Sequence, residues 1–523
     1  MILFYLLLFL IPSISTAQAN IRIGGLGGDE AVATAIYQNK IIVGGTFQQM
    51  LNGQPSHGGS DIFLQAYNLQ GQLSWQYNLG SSNNEQLKAL CLSPSGAIYS
   101  TGMFSDSLFI GATDSILYNH QQAVFIVKQD IQGQFLWSRS LSGQSLVVVE
   151  DIVSDAQENI YITGAFQDTF VIDSNHQLIG GAKNSPFLIK LDPDGKVLWS
   201  QSPALSDEAT GIALTIDDKG QLYWAGHFKG SFALLSDTIR AHWVYNDLFL
   251  SQVDSNGHFI WQRHYGGVYN NTCKQLEWYA GSLYLGGSFM GVLDIPPLRL
   301  VTAFRNFDAF VVQLNMDGIA KWGIQSQTEA DCFFEAIAFY QDQIVVSGVY
   351  NDYFKWQQQQ VPAINGAETF QVVLDSNGQG AQINTWTGNG FDLVKSTAIH
   401  SSGQVVAVGG FQQDIRLGKQ TLQAQGFSDA FLYIQDSALA TSVTKIAHFE
   451  LVKLSFAPNP SQDSTTILCP NGRVKKWLLY NMQGQLVAQG NQATVPLQSI
   501  SSGTYSIQVH TDKGMGIEKL IVH

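Results

Sequence analysis

The sequence predicts an all-β fold: a seven-bladed β-propeller of about 62-residue four-stranded repeats, closed by its N-terminal strand, with a small C-terminal β-sandwich. Three observations predict it. First, Trp75, Trp137, Trp199, Trp261, Trp322 and Trp386 stand 62, 62, 62, 61 and 64 residues apart. So regular a period means that one supersecondary unit has been copied. Second, two aromatic series keep the same period. One ends a strand at Phe47, Phe104, Phe166, Phe228, Phe289, Tyr350 and Phe411. The other opens a strand at Phe63, Phe125, Phe187, Phe249, Phe310, Phe370 and Phe431. Each has seven members, so there are seven units. Third, the two ends of the array complement each other. The seventh unit stops near Asp436 without a Trp strand, while Ala19–Ile23 stands as an orphan before the first.

The third unit serves as the pattern. Val148–Val153 and Asn159–Phe166 flank a polar turn; Phe187–Leu191 follows; Asp192-Pro193-Asp194-Gly195 turns the chain into Lys196–Ser200, which carries the Trp. These are four short strands rich in β-branched and aromatic residues, separated by Gly/Asp/Asn turns. No stretch sustains a 3.6-residue period, so no helices are expected. A four-stranded sheet that cannot cover both its faces must stack on neighbours, and radial stacking gives a propeller. Ile21–Glu30 aligns with Trp75–Glu85 to within one residue, so the N-terminal strand is expected to complete the last blade and leave no open edge. A parallel β-helix is the structural rival, but its coils are shorter and need no borrowed strand.

The ends read as address labels. Met1–Leu10 is apolar and small residues follow through Ala17, the pattern of a secretory signal peptide, although it lacks a basic n-region. Residues 1–17 are therefore assigned to a signal peptide, 19–436 to the propeller, 437–452 to a linker and 453–523 to the terminal domain. No other apolar run is long enough to span a bilayer. Charged residues make up only 13% of the chain and the net charge is −14, which excludes a phosphate-binding basic surface and hence nucleic acid as a partner.

Two resemblances rest on particular residues. The run Phe187-Leu188-Ile189-Lys190-Leu191-Asp192-Pro193-Asp194-Gly195-Lys196-Val197-Leu198-Trp199, and its copy from Asp308 to Trp322, resembles the bacterial β-propeller repeat family of secreted proteins. In the terminal domain, Pro458-Asn459-Pro460, Leu479 to Val487 (with Gly484), Ser502-Gly503-Thr504-Tyr505 and Lys519-Leu520-Ile521-Val522 resemble the C-terminal sorting domain of the type IX secretion system. Ala457 stands where that family usually has Tyr. The resemblance implies the type IX machinery as a partner and export across the outer membrane, with removal of the domain by a surface sortase.

No H-E-x-x-H, G-x-S-x-G or P-loop is present. The Asp-x-Asn/Asp-Gly tetrads at Asp192, Asp254 and Asp375 fail as calcium loops, since Pro203, Tyr265 and Trp386 stand where the twelfth-position Glu would be. They read as hairpin turns, and no metal or cofactor is expected. Acidic residues precede most first strands, including Asp29-Glu30, Glu85, Glu150-Asp151, Asp207-Glu208 and Asp392. They form either a ligand site at the mouth of the channel or, the favoured reading, caps that tie blade to blade. Cys273 and Cys332 occupy nearly equivalent positions in adjacent units, which allows a disulfide.

The long connections after each second strand emerge on one face. Glu30, Glu85, Asp207, Glu208, His242, Trp243, Tyr245 and Arg305 are the candidate ligand-binding residues there, because aromatic platforms with polar neighbours suit sugars or peptides. The expected function is a non-enzymatic surface binding module for a glycan or protein. The alternative is a propeller-type hydrolase or lyase acting on polysaccharide or peptide, with paired carboxylates as acid and base.

Overall fold

The computed structural model describes residues 19–110, 114–117, 122–143, 145–203, 205–242, 244–302, 305–357, 359–380, 382–435, 450–451, 454–469, 473–481, 486–511 and 514–523. The chain divides into two compact units, Met1–Thr441 and Ser442–His523. Among the described residues every regular element is a strand.

In the third repeat, Val147–Ser154, Ile160–Phe166, Ser185–Leu191 and Val197–Gln201 pair in sequence order, all antiparallel. The two middle strands are buried along their whole length, which is why they read as continuous apolar runs. Seven sheets built on four such strands occur among the described residues, and four of them carry one or two further strands. Their first strands are Glu30–Tyr37, Gln86–Leu92, Val147–Ser154, Leu205–Ile216, Asn271–Tyr279, Cys332–Tyr340 and Asp392–Ile399. Each lies against the next, and the last lies against the first, so the ring closes. The closing strand is Ala19–Ile23, which pairs with Asp429–Gln435 with Ile21 opposite Leu432 and Arg22 opposite Phe431.

Both aromatic series are 1% exposed or less and fill the spaces between sheets. A glycine lies beside each third-strand ring. At Gly45, Gly102, Gly226, Gly287 and Gly348 a Cβ would stand 2.0–2.2 Å from a carbonyl of the first strand and 2.5–3.0 Å from the Phe ring. Only a missing side chain lets the ring lie flat on the backbone there.

The tryptophan period has a direct physical meaning. Trp75, Trp137, Trp199 and Trp322 each donate Nε1–H to a turn carbonyl of the following blade: Ile131 (3.2 Å), Pro193 (3.0 Å), Ser255 (3.0 Å) and Ser376 (3.1 Å). The glycine closing each of those turns, Gly133, Gly195, Gly257 and Gly378, has φ between +71° and +87° and presents its bare Cα to the indole. In the same turns Asp130, Asp192, Asp254 and Asp375 accept two backbone N–H groups each. The Asp shapes the turn, the Gly clears its surface, and the Trp of the blade before docks on it. At the closure Ile21 takes the Trp position: a Cβ on Gly71 would lie 2.7 Å from its Cδ1.

Several connections expected only as loops are themselves hairpins. Ser107–Ile110, Thr169–Val171 and Asp414–Leu417 add to the outer strands Leu73–Gly80, Phe135–Gly143 and Gln382–Asn389 of the preceding blades. The cause is the unpaired edge of each outer strand, which a neighbouring hairpin satisfies. In the sixth unit Gln343–Trp356 and Gln359–Asp375 run on as one long hairpin. Its pleat turns Phe354 and Trp356 inward at 0% exposure, so Trp356 packs on Phe370 rather than facing solvent.

The C-terminal unit has a five-stranded and a three-stranded sheet around Ile467, Trp477, Leu479, Val495, Ile507, Val509 and Leu520. Asn459 works as a side-chain strand: Nδ2 donates to Lys519 O (2.9 Å) and Oδ1 accepts Ile521 N–H (2.9 Å). Pro458 O accepts the Thr465 hydroxyl (2.6 Å), and Pro460 follows directly. Gly503 opens a long strand opposite Val522, and the Tyr505 hydroxyl donates to Ser501 O (2.7 Å). Lys519 is exposed, and Gly484 lies outside the described residues.

The indole lock predicts a graded loss. Trp137→Ala removes ring packing and hydrogen bond together and is expected to cost about 2–4 kcal/mol. Trp137→Phe keeps most packing and should cost about 1 kcal/mol. Urea-denaturation midpoints of the two variants check this, and equal losses would contradict it.

Candidate ligand-binding face

The long connections are held by one recurrent device. The acid two residues before the third-strand Phe occurs as Asp61, Asp247, Asp308, Glu368 and Asp429, all 0% exposed. Buried charge must be met by donors. His57 N and Nδ1 donate to Asp61, both at 2.8 Å. The Ser326 hydroxyl and the Thr328 backbone N–H donate to Asp308 at 2.9 and 3.2 Å. Arg22 pairs with Asp429 at 2.6 Å, and Gly388 N–H donates to Glu368 at 3.1 Å. Room for three of these carboxylates comes from Gly80, Gly266 and Gly24, where a Cβ would stand 2.1–2.7 Å from the acid. Sequence reasoning missed the partner of these acids, the glycine at the end of the outer strand of the same blade.

The acids before the first strands are engaged in the same way. Glu85 is 1% exposed and accepts Ser81 N–H (2.7 Å) and its hydroxyl (2.6 Å); burial pushes its carboxyl up to about 7. Asp29 accepts Gly25 and Gln48 N–H groups, and burial raises it to about 6. Asp207 accepts Ser231 N–H (2.7 Å). Glu208 pairs with Lys229 at 2.8 Å, and that bond holds its carboxyl below the usual range. Glu30 faces Lys395 at 3.5 Å. Trp243 lies outside the described residues.

The Cys273–Cys332 disulfide that the sequence allowed is absent: both thiols are free. Cys273 packs into the core shared by the fourth and fifth blades, whereas Cys332 packs into that of the fifth and sixth. Equivalent sequence positions put the side chains into successive inter-blade spaces rather than facing one another.

A ring of bulge residues faces the axis, and of its members sequence reasoning had singled out Glu150 alone. Every first strand carries a β-bulge at the same place. The extra residues are Val32, Lys88, Glu150, Ile212, Lys274, Glu335 and Lys395. Lys274 pairs with Glu335 at 3.3 Å. Burial raises the Glu150 carboxyl, while Lys88 and Lys274 oppose the rise. The spacing signal was present in the sequence, but a bulge breaks strict alternation and hides which residue points to the axis. One residue further on, Asp151, Gln275 and Ser396 accept backbone N–H groups of the following blade from Leu214, Ile337 and Thr34.

Between the fourth and fifth blades three groups gather on the loop face. Tyr245 meets Tyr269 edge-on, with ring centroids 5.4 Å apart, and the Arg305 guanidinium lies 5.9 Å from the Tyr269 centroid. Arg305 is exposed and both tyrosines are half-buried. Tyr269 has φ +77°, a conformation costly for a bulky residue, and such strain clusters at binding sites. Tyr245 and Arg305 were legible as candidates, whereas Tyr269, which joins them, was not.

Residues 455–523 match the family model described as the secretion system C-terminal sorting domain. This unit is a type IX sorting domain, and the protein is exported to the cell surface or secreted. An uncharacterized WD repeat-containing protein of Acanthamoeba polyphaga mimivirus is 24% identical over 173 residues, which cover 29% of this chain and 12% of that protein. The chain therefore spans a small part of that relative. Among solved structures, a puromycin hydrolase mutant is 12% identical with a TM-score of 0.41, covering 83% of this chain and 57% of that one. A Synechocystis apocarotenoid oxygenase mutant is 9% identical with a TM-score of 0.34, covering 71% and 93%. No helix among the described residues is long and apolar enough to cross a membrane.

The buried acids make stability depend on pH. Asp392 is 0% exposed; burial first, then Glu368 and Asp414, push its carboxyl up to about 8. The fold therefore favours protonated Asp392. Its contribution is full below the ordinary carboxyl range and erodes as pH rises toward 8. Asp392→Asn should match the unsubstituted chain at pH ~4 and exceed its stability by about 1–3 kcal/mol at pH ~8. Urea denaturation at the two pH values checks this, and a variant weaker at both would contradict it.

Proposed function

We propose that this is a non-enzymatic binding protein of the outer cell surface or medium, whose propeller engages an extracellular glycan through its loop face. Residues 1–17 act as the signal peptide, 19–436 as the binding ring, 437–452 as the linker and 453–523 as the export address. The observation that carries the reading is the Tyr245–Tyr269–Arg305 platform, with Tyr269 held at φ +77°. Aromatic faces suit the apolar faces of sugar rings, and a planar guanidinium offers several donors to hydroxyl or carboxylate oxygens. The same platform could take a protein side chain, so the experiment separates the two.

The carboxylates at the loop face support binding over hydrolysis. Glu85, Asp29 and Asp207 accept backbone N–H groups, and Glu208 is paired with lysine. A glycosidase needs two carboxyl groups free to face one bond. These groups instead fix the loops that present the platform.

A glycan array probed with the full chain tests the proposal. Binding to a defined glycan class is expected, with Tyr269→Ala and Arg305→Ala each weakening it by about tenfold or more. Absence of any glycan signal, or binding indifferent to both substitutions, overturns it.

A further inference from the structure

The geometry points to a divalent transition-metal site at His242, Asp247 and His264 on the outer part of the fourth blade. The inference stands independently of the glycan reading. One donor atom from each residue lies within 4.8 Å of the other two. Two imidazoles and one carboxylate form a donor set suited to zinc, cobalt or nickel rather than to calcium or magnesium, which prefer all-oxygen shells.

The three residues come from separate segments, and each is fixed by its surroundings. Asp247 begins the strand Asp247–Val253 and is 0% exposed. Its Oδ1 accepts from Asn271 Nδ2 (3.2 Å) and Gly267 N (3.3 Å), while Oδ2, which also accepts the His242 backbone N–H (2.7 Å), faces the two imidazoles. His264 lies on the outer strand Phe259–Tyr265, with its ring edge-on to Phe228 at 5.4 Å. His242 comes from the loop before Asp247 and stacks on His264 with ring centroids 5.2 Å apart. The bonds from Asn271 and Gly267 orient the Asp247 carboxylate, as hydrogen bonds behind metal ligands do. Gly266 keeps the space open, since a Cβ there would stand 2.1 Å from the Asp247 carboxyl carbon.

Oδ2 of Asp247 meets His242 Nδ1 at 2.8 Å and His264 Nε2 at 2.7 Å. These are hydrogen-bond separations. Tetrahedral zinc with bonds near 2.1 Å would need donor atoms roughly 0.6 Å further apart. The His242 and His264 side chains, 53% and 21% exposed, must each move outward by that amount for a metal to enter. With three protein ligands, a coordination position remains for water or a partner group.

Comparison among blades separates this site from the general capping device. In the first blade His57 binds Asp61 as His242 binds Asp247, but the position of His264 holds Asn78. In the fifth blade it holds Gln325, which reaches Asp308 at 3.4 Å. In the last it holds Arg22, paired with Asp429. In each of these blades the buried acid is met by donors that include no second imidazole. Only the fourth blade, among the described residues, adds a second imidazole.

The test is calorimetric titration of chelator-treated full chain with Zn²⁺, repeated with Co²⁺ to record its absorption spectrum. One bound equivalent, and a visible band typical of nitrogen–oxygen coordination, are expected. His242→Ala removes an exposed ligand, and His264→Gln imports the side chain of the fifth blade; each should weaken binding at least about tenfold. His57→Ala should leave the equivalent unchanged. No uptake by the unsubstituted chain, or uptake that survives in either His242→Ala or His264→Gln, overturns the inference.

Discussion

The structure depends on the contact between an indole and a glycine turn. A propeller blade exposes two apolar faces, and each must be covered by a neighbour without a helix to help. Here the outer strand of one blade reaches the hairpin turn of the next through a Trp Nε1–H···O=C bond and a ring laid on bare Cα. Neither partner works alone. A side chain at Gly195 would strike the Trp137 ring, and without its Asp the turn would lose the two N–H contacts that shape it. The repeat length is thus set by the need to place one Trp and one Asp-x-x-Gly turn in each unit.

A second layer of contacts works nearer the axis and at the loop face. Bulges push one residue of each first strand inward, and the following residue can then accept an N–H group of the neighbouring blade, as Asp151 does from Leu214. At the other end of the sheets, buried acids gather the long connections. These carboxylates have raised or lowered proton affinities according to their partners: Glu85 is raised by burial, while the two histidines and backbone donors around Asp247 outweigh burial and lower it. Perturbed carboxyls are often taken as signs of catalysis. Here most belong to the joinery, which leaves the groups outside it, the tyrosines, Arg305 and the second histidine, as the ones with chemistry to spare.

How far the sequence reaches differs between scaffold and site. The Trp period, the two Phe series and the orphan Ile21 determined by themselves the repeat, the strand order and the closure of the ring, because those features are local and copied: a period survives whatever the loops do. The Pro458-Asn459-Pro460 and Ser502-Gly503-Thr504-Tyr505 segments likewise identified the sorting unit. Copying, however, says nothing about where unlike copies meet. Tertiary structure alone decided that Cys273 and Cys332 enter different cores, that Trp356 turns inward, and that Lys88, Glu150 and Lys274 share the axis. It also brought Tyr269 between Tyr245 and Arg305, and His264 beside His242. The physical reason is that a bulge or a hairpin shifts side-chain alternation by one residue, and that a contact across blades depends on this phase.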